Sequence, residues 1–179
     1  MNRNSSFDPK WARLAAIVMV AVFPFPAAAQ EKNATIEVSP DAGAWIVNCS
    51  AGGGGAAFEC QMSQNLTEAK TGQRVLTVTV RKQASDGSLA MLLALPHGLF
   101  LPAGATYQVD GGQTIAVAIQ TSDQNGAYAA VPMNAGFVAA LKKGTSLNVG
   151  MESVTRKPVR IPVTLAGFTA AMDKLNAVK

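Results

Sequence analysis

Short runs of apolar residues recur along most of the chain, and each ends at glycine, proline or a polar cluster. Residues 75–80, Val-Leu-Thr-Val-Thr-Val, keep the period of two expected of a half-buried strand, and Arg81 and Lys82 then mark solvent. Residues 88–95 are almost continuously apolar and suit a buried strand; Asp86-Gly87 before them predicts a tight type I′ hairpin to the preceding strand. Residues 106–109 and 114–120 flank Asp110-Gly111-Gly112, which predicts a second tight hairpin. Trp45-Ile46-Val47 opens another run, residues 57–62 form its neighbour, and the glycines at 52–55 suit the connection between them. Residues 127–131, 146–151 and 159–163 are further strand candidates.

Two segments change period. Asn134 can cap a short helix with Phe137, Val138 and Leu141 on one side, ended by Gly144. Near the C-terminus, Thr164 or the residues just after it can cap a helix in which Phe168, Ala171, Met172 and Leu175 share a face. Lys174 sits late in that helix, where the dipole favours a positive charge. Eight to ten short strands and a terminal helix predict an all-β fold, an antiparallel β-sandwich or partly closed barrel with the helix over an open end.

The first residues need separate treatment. Lys10 and Arg13 precede an apolar run over residues 14–25, and Ala27-Ala28-Ala29 supplies the small residues a signal peptidase accepts. Residues 1–29 therefore read as a cleaved secretory signal peptide, too short and too soon broken by Pro24 and Pro26 to span a bilayer. Residues 30–43 form a polar lead-in and residues 44–179 a single β domain with no later membrane span. The whole chain of 179 residues carries a net charge of +4. Without the leader's Arg3, Lys10, Arg13 and Asp8, three bases and one acid, it falls to +2, which predicts no nucleic-acid partner. Lys142-Lys143 and Arg156-Lys157 with Arg160 are the basic clusters, suited to blunting turns or strand ends.

Export bears on Cys49 and Cys60, the two cysteines of the chain, because thiols in an oxidising compartment pair. The bond would close a loop of 12 residues between neighbouring strands, worth about 3 kcal/mol at most on the chain-entropy model. Redox sites prefer a two-residue spacing, and zinc needs ligands this chain does not readily supply, so a structural disulfide is expected, with no metal and no cofactor.

Candidate chemistry is thin. His97 is the one histidine, set between Pro96 and Gly98; no Ser-Gly motif marks a nucleophile for it to serve. The carboxylates are scattered, and only the fold could bring Glu59 and Glu152 across a groove. Asp110 is explained by the turn it starts. The glycines at 52–55 lack the Gly-Lys-Ser/Thr ending and following helix of a phosphate loop. Residues 95–104 are too punctuated for a strand and too apolar for a solvated loop. They form either a rigid connection over one end of the core or an exposed ridge that docks a partner through Leu95, His97, Leu99, Phe100 and Leu101. Trp45 shares that ambiguity, with core packing favoured by its strand.

The run Gly43-Ala44-Trp45-Ile46-Val47-Asn48-Cys49, then Cys60-Gln61-Met62, then Leu95-Pro96-His97-Gly98-Leu99-Phe100-Leu101-Pro102-Ala103-Gly104 resembles the bacterial invasion-associated locus B family. The likeness continues through Val109-Asp110-Gly111-Gly112 and Ile161-Pro162-Val163-Thr164-Leu165-Ala166-Gly167-Phe168-Thr169-Ala170-Ala171. It implies a Gram-negative, virulence-associated protein of the periplasm or cell envelope, at the outer membrane or secreted, with no catalytic residue to carry over. The family commonly has a second cysteine pair spaced Cys-x4-Cys; here Ser122 and Ala127 stand at those positions, which leaves that loop less constrained. The expected function is that of a non-enzymatic interaction module meeting a protein partner at the envelope or host surface, with a role in host-cell association or invasion. A structural or stress-related periplasmic protein and a small-ligand binder are the alternatives.

Overall fold

The structure, a computed structural model, describes residues 34–36, 45–51, 58–83 and 86–177. The leader, most of the lead-in and the glycines at 52–55 lie outside the described residues. Six strands form one sheet: β2 (Ile46–Ala51), β3 (Phe58–Thr67), β4 (Arg74–Lys82), β5 (Leu89–Leu95), β8 (Thr121–Asp123) and β9 (Gly126–Pro132), in the order β2-β3-β4-β5-β9-β8. Five form the other: β1 (Ala34–Thr35), β6 (Ala105–Val109), β7 (Ile115–Val117), β10 (Ser146–Glu152) and β11 (Pro158–Thr164), in the order β1-β11-β10-β6-β7. All pairings are antiparallel except that of the short β1 along β11. Two helices complete the fold, α1 (Ala135–Lys143) and α2 (Phe168–Ala177).

Neither sheet closes on itself, so the partly closed barrel is not formed. The described strands number eleven, above the expected eight to ten, because β1 and β8 carry no apolar alternation to announce them.

Period-two alternation sets the core. Leu76, Val78 and Val80 of β4, Met91, Leu93 and Leu95 of β5, and Ala129 and Val131 of β9 point one way; Leu147 and Val149 of β10 and Ile161 and Val163 of β11 join them from the other sheet in one apolar cluster. The four residues read onto one face of the C-terminal helix, Phe168, Ala171, Met172 and Leu175, are the buried residues of α2.

The connections depart from expectation in three places. The strand pairing ends at Lys82 with Leu89, the Gln83 N–H donates to the Ser88 carbonyl at 2.7 Å and the Gly87 N–H to the Gln83 carbonyl at 2.9 Å, so Asp86-Gly87 does not form the expected two-residue turn. Likewise Tyr107 is the last residue of β6 to pair with β7, opposite Ile115, and residues 110–114 connect the two strands. Asp110, at φ 48°, does not serve its own turn. Its carboxylate accepts from the Thr145 hydroxyl at 2.7 Å and from the Ser146 and Thr145 N–H groups at 2.9 and 3.1 Å, which ties this connection to the start of β10. The Thr145 hydroxyl and these main-chain donors hold the carboxyl below the usual range.

Asn134 caps α1 as its sequence position predicts, accepting from the Phe137 N–H at 2.8 Å. Gly144 ends that helix at φ −74°, not in the left-handed region; glycine is needed there because a Cβ would lie 2.6 Å from Val109 Cγ1. Thr164 organises the approach to α2, its hydroxyl accepting from the Ala166 N–H at 3.2 Å before the helix begins.

One core position defies the pattern. Gln64 lies on the inward side of β3 between Met62 and Leu66 and is 1% exposed, yet its amide nitrogen and oxygen meet no partner among the described residues. A buried amide without partners costs about 1–3 kcal/mol. Gln64→Leu is therefore expected to raise the urea midpoint by a comparable stabilisation; an unchanged or lower midpoint would mean that the amide is satisfied in solution, as by a buried water.

Candidate functional site

The segment after β5 is built by the pleat and by pairing. Leu95 closes β5 in phase with Met91 and Leu93 and is fully buried, so it belongs to the core and not to the expected docking surface. Beyond it, the chain runs beside the turn between β10 and β11. The Gly98 carbonyl accepts from the Val154 N–H at 2.9 Å, Leu99 bridges Ser153, and the Phe100 N–H donates to the Glu152 carbonyl at 2.9 Å. A short 3-10 turn, Leu101–Ala103, leads on into β6.

The two sequence-based alternatives therefore each describe part of the segment. It is a rigid connection, with Leu99 half-buried against the core, and it also presents apolar surface. Leu101 is 42% exposed, and Val154 on the adjoining turn is 64% exposed. Between them Phe100 lies half-buried under Arg156, whose guanidinium carbon is 3.4 Å from the ring centre. Arg156 adopts φ 62°, a left-handed conformation uncommon outside glycine, and reaches the Glu152 carboxylate at 3.6 Å. Sequence reasoning missed Val154 and gave Arg156 only the role of blunting a turn. A lone valine in the polar turn Ser153-Val154-Thr155-Arg156-Lys157 was the signal that could have found them.

His97 is exposed at the edge of this surface. Its Nε2–H donates to the Gln124 carbonyl at 3.0 Å, a main-chain oxygen in the connection between β8 and β9. Glu59 and Glu152 are not brought together: Glu59 pairs with Ser50 at the edge of the six-stranded sheet, whereas Glu152 ends β10 in the other sheet. Lys142 of the first basic cluster forms an ion pair with Asp173 at 2.9 Å. Among the described residues no group of three or more His, Cys, Asp or Glu could hold a metal ion. No described helix is long and apolar enough to cross a membrane.

Cys49 and Cys60 are joined by a disulfide across directly paired positions of β2 and β3. At the opposite edge of the same sheet, Ser122 and Ala127 are likewise direct partners, one on β8 and one on β9. The hairpin there is held by hydrogen bonds without a covalent bond. Asp123 accepts from the Asn125 N–H at 2.7 Å and from the Tyr128 hydroxyl at 3.0 Å, while Arg74 donates to the Asn125 carbonyl and His97 to that of Gln124. The Asn125 N–H, then the Tyr128 hydroxyl, draws the Asp123 carboxyl below its usual range. Gly126, at φ 141°, permits the hairpin to approach the Leu95 carbonyl, which a Cβ would meet at 2.1 Å.

Comparison with known proteins places this geometry among relatives. The family model described as Invasion associated locus B (IalB) protein matches residues 45–176. The chain is similar to two invasion protein B homologs of Brucella abortus, from strain 2308 and from biovar 1 strain 9-941. Each is 36% identical over 135 residues, covering 75% of this chain and 76% of the relative. Its fold is similar to the crystal structure of invasion associated protein b from Bartonella henselae, with a TM-score of 0.68 and 26% identity over 79% of this chain and 95% of that one.

Proposed function

Since the chain belongs to the invasion associated locus B family, we propose that it is an exported protein of the periplasm or cell envelope that acts by contact with a protein partner rather than by catalysis. The apolar leader over residues 14–25, the small residues at 27–29 and the disulfide between Cys49 and Cys60 all support export. The names of the relatives point to a role in invasion, and host association is the context proposed for this chain. The site proposed for contact is the surface shared by residues 98–101 and 153–156, and the observation that carries it is the pairing of these two segments, which carry exposed Leu101 and Val154 and the Arg156–Phe100 stack.

The test is a photo-crosslinking amino acid placed at position 154, with position 70 on an exposed turn as control, in cells producing the oxidised protein. An adduct specific to position 154, formed with an envelope or host-surface protein and lost in Leu101→Ser without a change in melting, is the expected result. Equal labelling at both positions would favour the alternative, a structural or stress-related envelope protein with no partner at this surface.

A further inference from the structure

A concavity that shares no residue with that surface lies between α1 and the connection from β6 to β7, with a volume of about 450 Å³. That volume is within the range of small-molecule sites, roughly 300–1,000 Å³. Its wall is aromatic and aliphatic: Tyr107 and Phe137 stand 5.1 Å apart with their rings tilted at 46°, and Ile115 of the edge strand β7 is 40% exposed. Two polar groups there have no assignment within the fold. Neither the Tyr107 hydroxyl nor the Lys143 ammonium has a partner among the described residues, although the adjacent Lys142 is paired with Asp173. The acid on the rim, Asp110, is already occupied by the three donors of Thr145 and Ser146.

We propose that this cleft is a binding site for a small amphipathic anion, an aromatic or alicyclic carboxylate or sulfonate whose apolar body lies on Tyr107 and Phe137 and whose charge is met by Lys143. The unpaired cation favours an anionic ligand, while the one carboxylate of the lining is engaged through its Oδ1 by the Thr145 hydroxyl and by the Thr145 and Ser146 N–H groups. The Tyr107 hydroxyl adds a donor for an anionic oxygen, and burial, which pushes its proton loss to higher pH, keeps it a donor. The site is independent of the contact surface proposed above, so either can fail alone.

Titration of the oxidised protein with 1-anilinonaphthalene-8-sulfonate and with 2-naphthoate tests this, with a naphthyl trimethylammonium salt as the cationic counterpart. Saturable binding of both anions at one site is expected, with amide shifts confined to α1, β6 and β7. Lys143→Glu is expected to weaken the anions by about tenfold or more, as loss of a charge-assisted contact does. Ala140→Trp, at an exposed position lining the cleft, should block it without changing the melting curve. No saturation at millimolar anion, shifts centred elsewhere, or unchanged affinity in either variant would overturn the site. Equal or tighter binding of the cation would overturn its assignment to anions.

Discussion

Phe168→Ala is expected to lower folding stability by about 3–5 kcal/mol, the range for truncating a buried aromatic ring in a well-packed core. Phe168 is the first residue of α2 and 1% exposed. Its ring meets that of Trp45 edge-to-face, with centroids 5.1 Å apart and planes at 84°, and the Trp45 indole N–H donates to the Thr164 carbonyl at 3.0 Å. One side chain thus joins the C-terminal helix to the start of β2, and the helix in turn packs against β2 and β3. The edge-to-face contact itself accounts for about 0.5–1.5 kcal/mol, and the remainder is lost transfer energy and residual cavity. Trp45→Phe separates the terms: it keeps a ring on Phe168 and removes the indole hydrogen bond, at an expected cost of about 1 kcal/mol. Urea unfolding followed by circular dichroism measures both. A loss below 1 kcal/mol for Phe168→Ala would mean that α2 does not depend on this contact.

Much of that arrangement was legible beforehand. The spacing of Phe168, Ala171, Met172 and Leu175 fixes a helical face from sequence because each position tests the same period. The strands β4, β10 and β11 were legible for a parallel reason: each alternates apolar residues that must bury with polar ones that need not. Legibility fails where exposure removes that pressure. Thr121, Ser122 and Asp123 are all exposed, and β8 exists through pairing with β9 at an edge of the sheet, a tertiary circumstance invisible in three polar residues. Gln64 fails in the opposite direction, a polar residue at a core position whose neighbours could not reveal its burial.

The sites divide in the same way. The disulfide was readable from two thiols and a leader. The contact surface was half-readable: the apolar residues 99–101 were visible, but Leu95 follows the phase of Leu93 into the core, and Val154 enters only because the turn between β10 and β11 pairs with Gly98. The cleft was not readable at all. Its Tyr107 and Phe137 are thirty residues apart, and each lies in a segment whose sequence is explained by its own strand or helix.

Cys49→Ser/Cys60→Ser is expected to cost about 2–3 kcal/mol, on the chain-entropy value for a closed loop of this length, and its effect should be concentrated in one strand. β2 is a strand of six residues at the edge of its sheet, paired among the described residues with β3 alone, and Cys49 on it is exposed. Without the bond between paired positions, β2 is free to open locally at less than the cost of global unfolding. Opening releases Trp45, which immediately precedes that strand, from Phe168 and from the Thr164 carbonyl. The disulfide and the aromatic contact therefore secure the same element from two sides, and their losses should couple. In the triple variant with Phe168→Ala, the combined destabilisation is expected to differ from the sum of the separate effects by more than about 0.5 kcal/mol, since removing either tether already frees part of what the other holds. Amide exchange gives the local measure: residues 46–51 should lose protection in the serine variant while β4, β5 and β10 keep theirs. Uniform loss across both sheets, or strict additivity with Phe168→Ala, would mean that the bond stabilises the fold as a whole instead of fastening its edge. The localised outcome links covalent chemistry to compartment, because a thiol-reducing environment would open the strand that carries Trp45 before it unfolded the core.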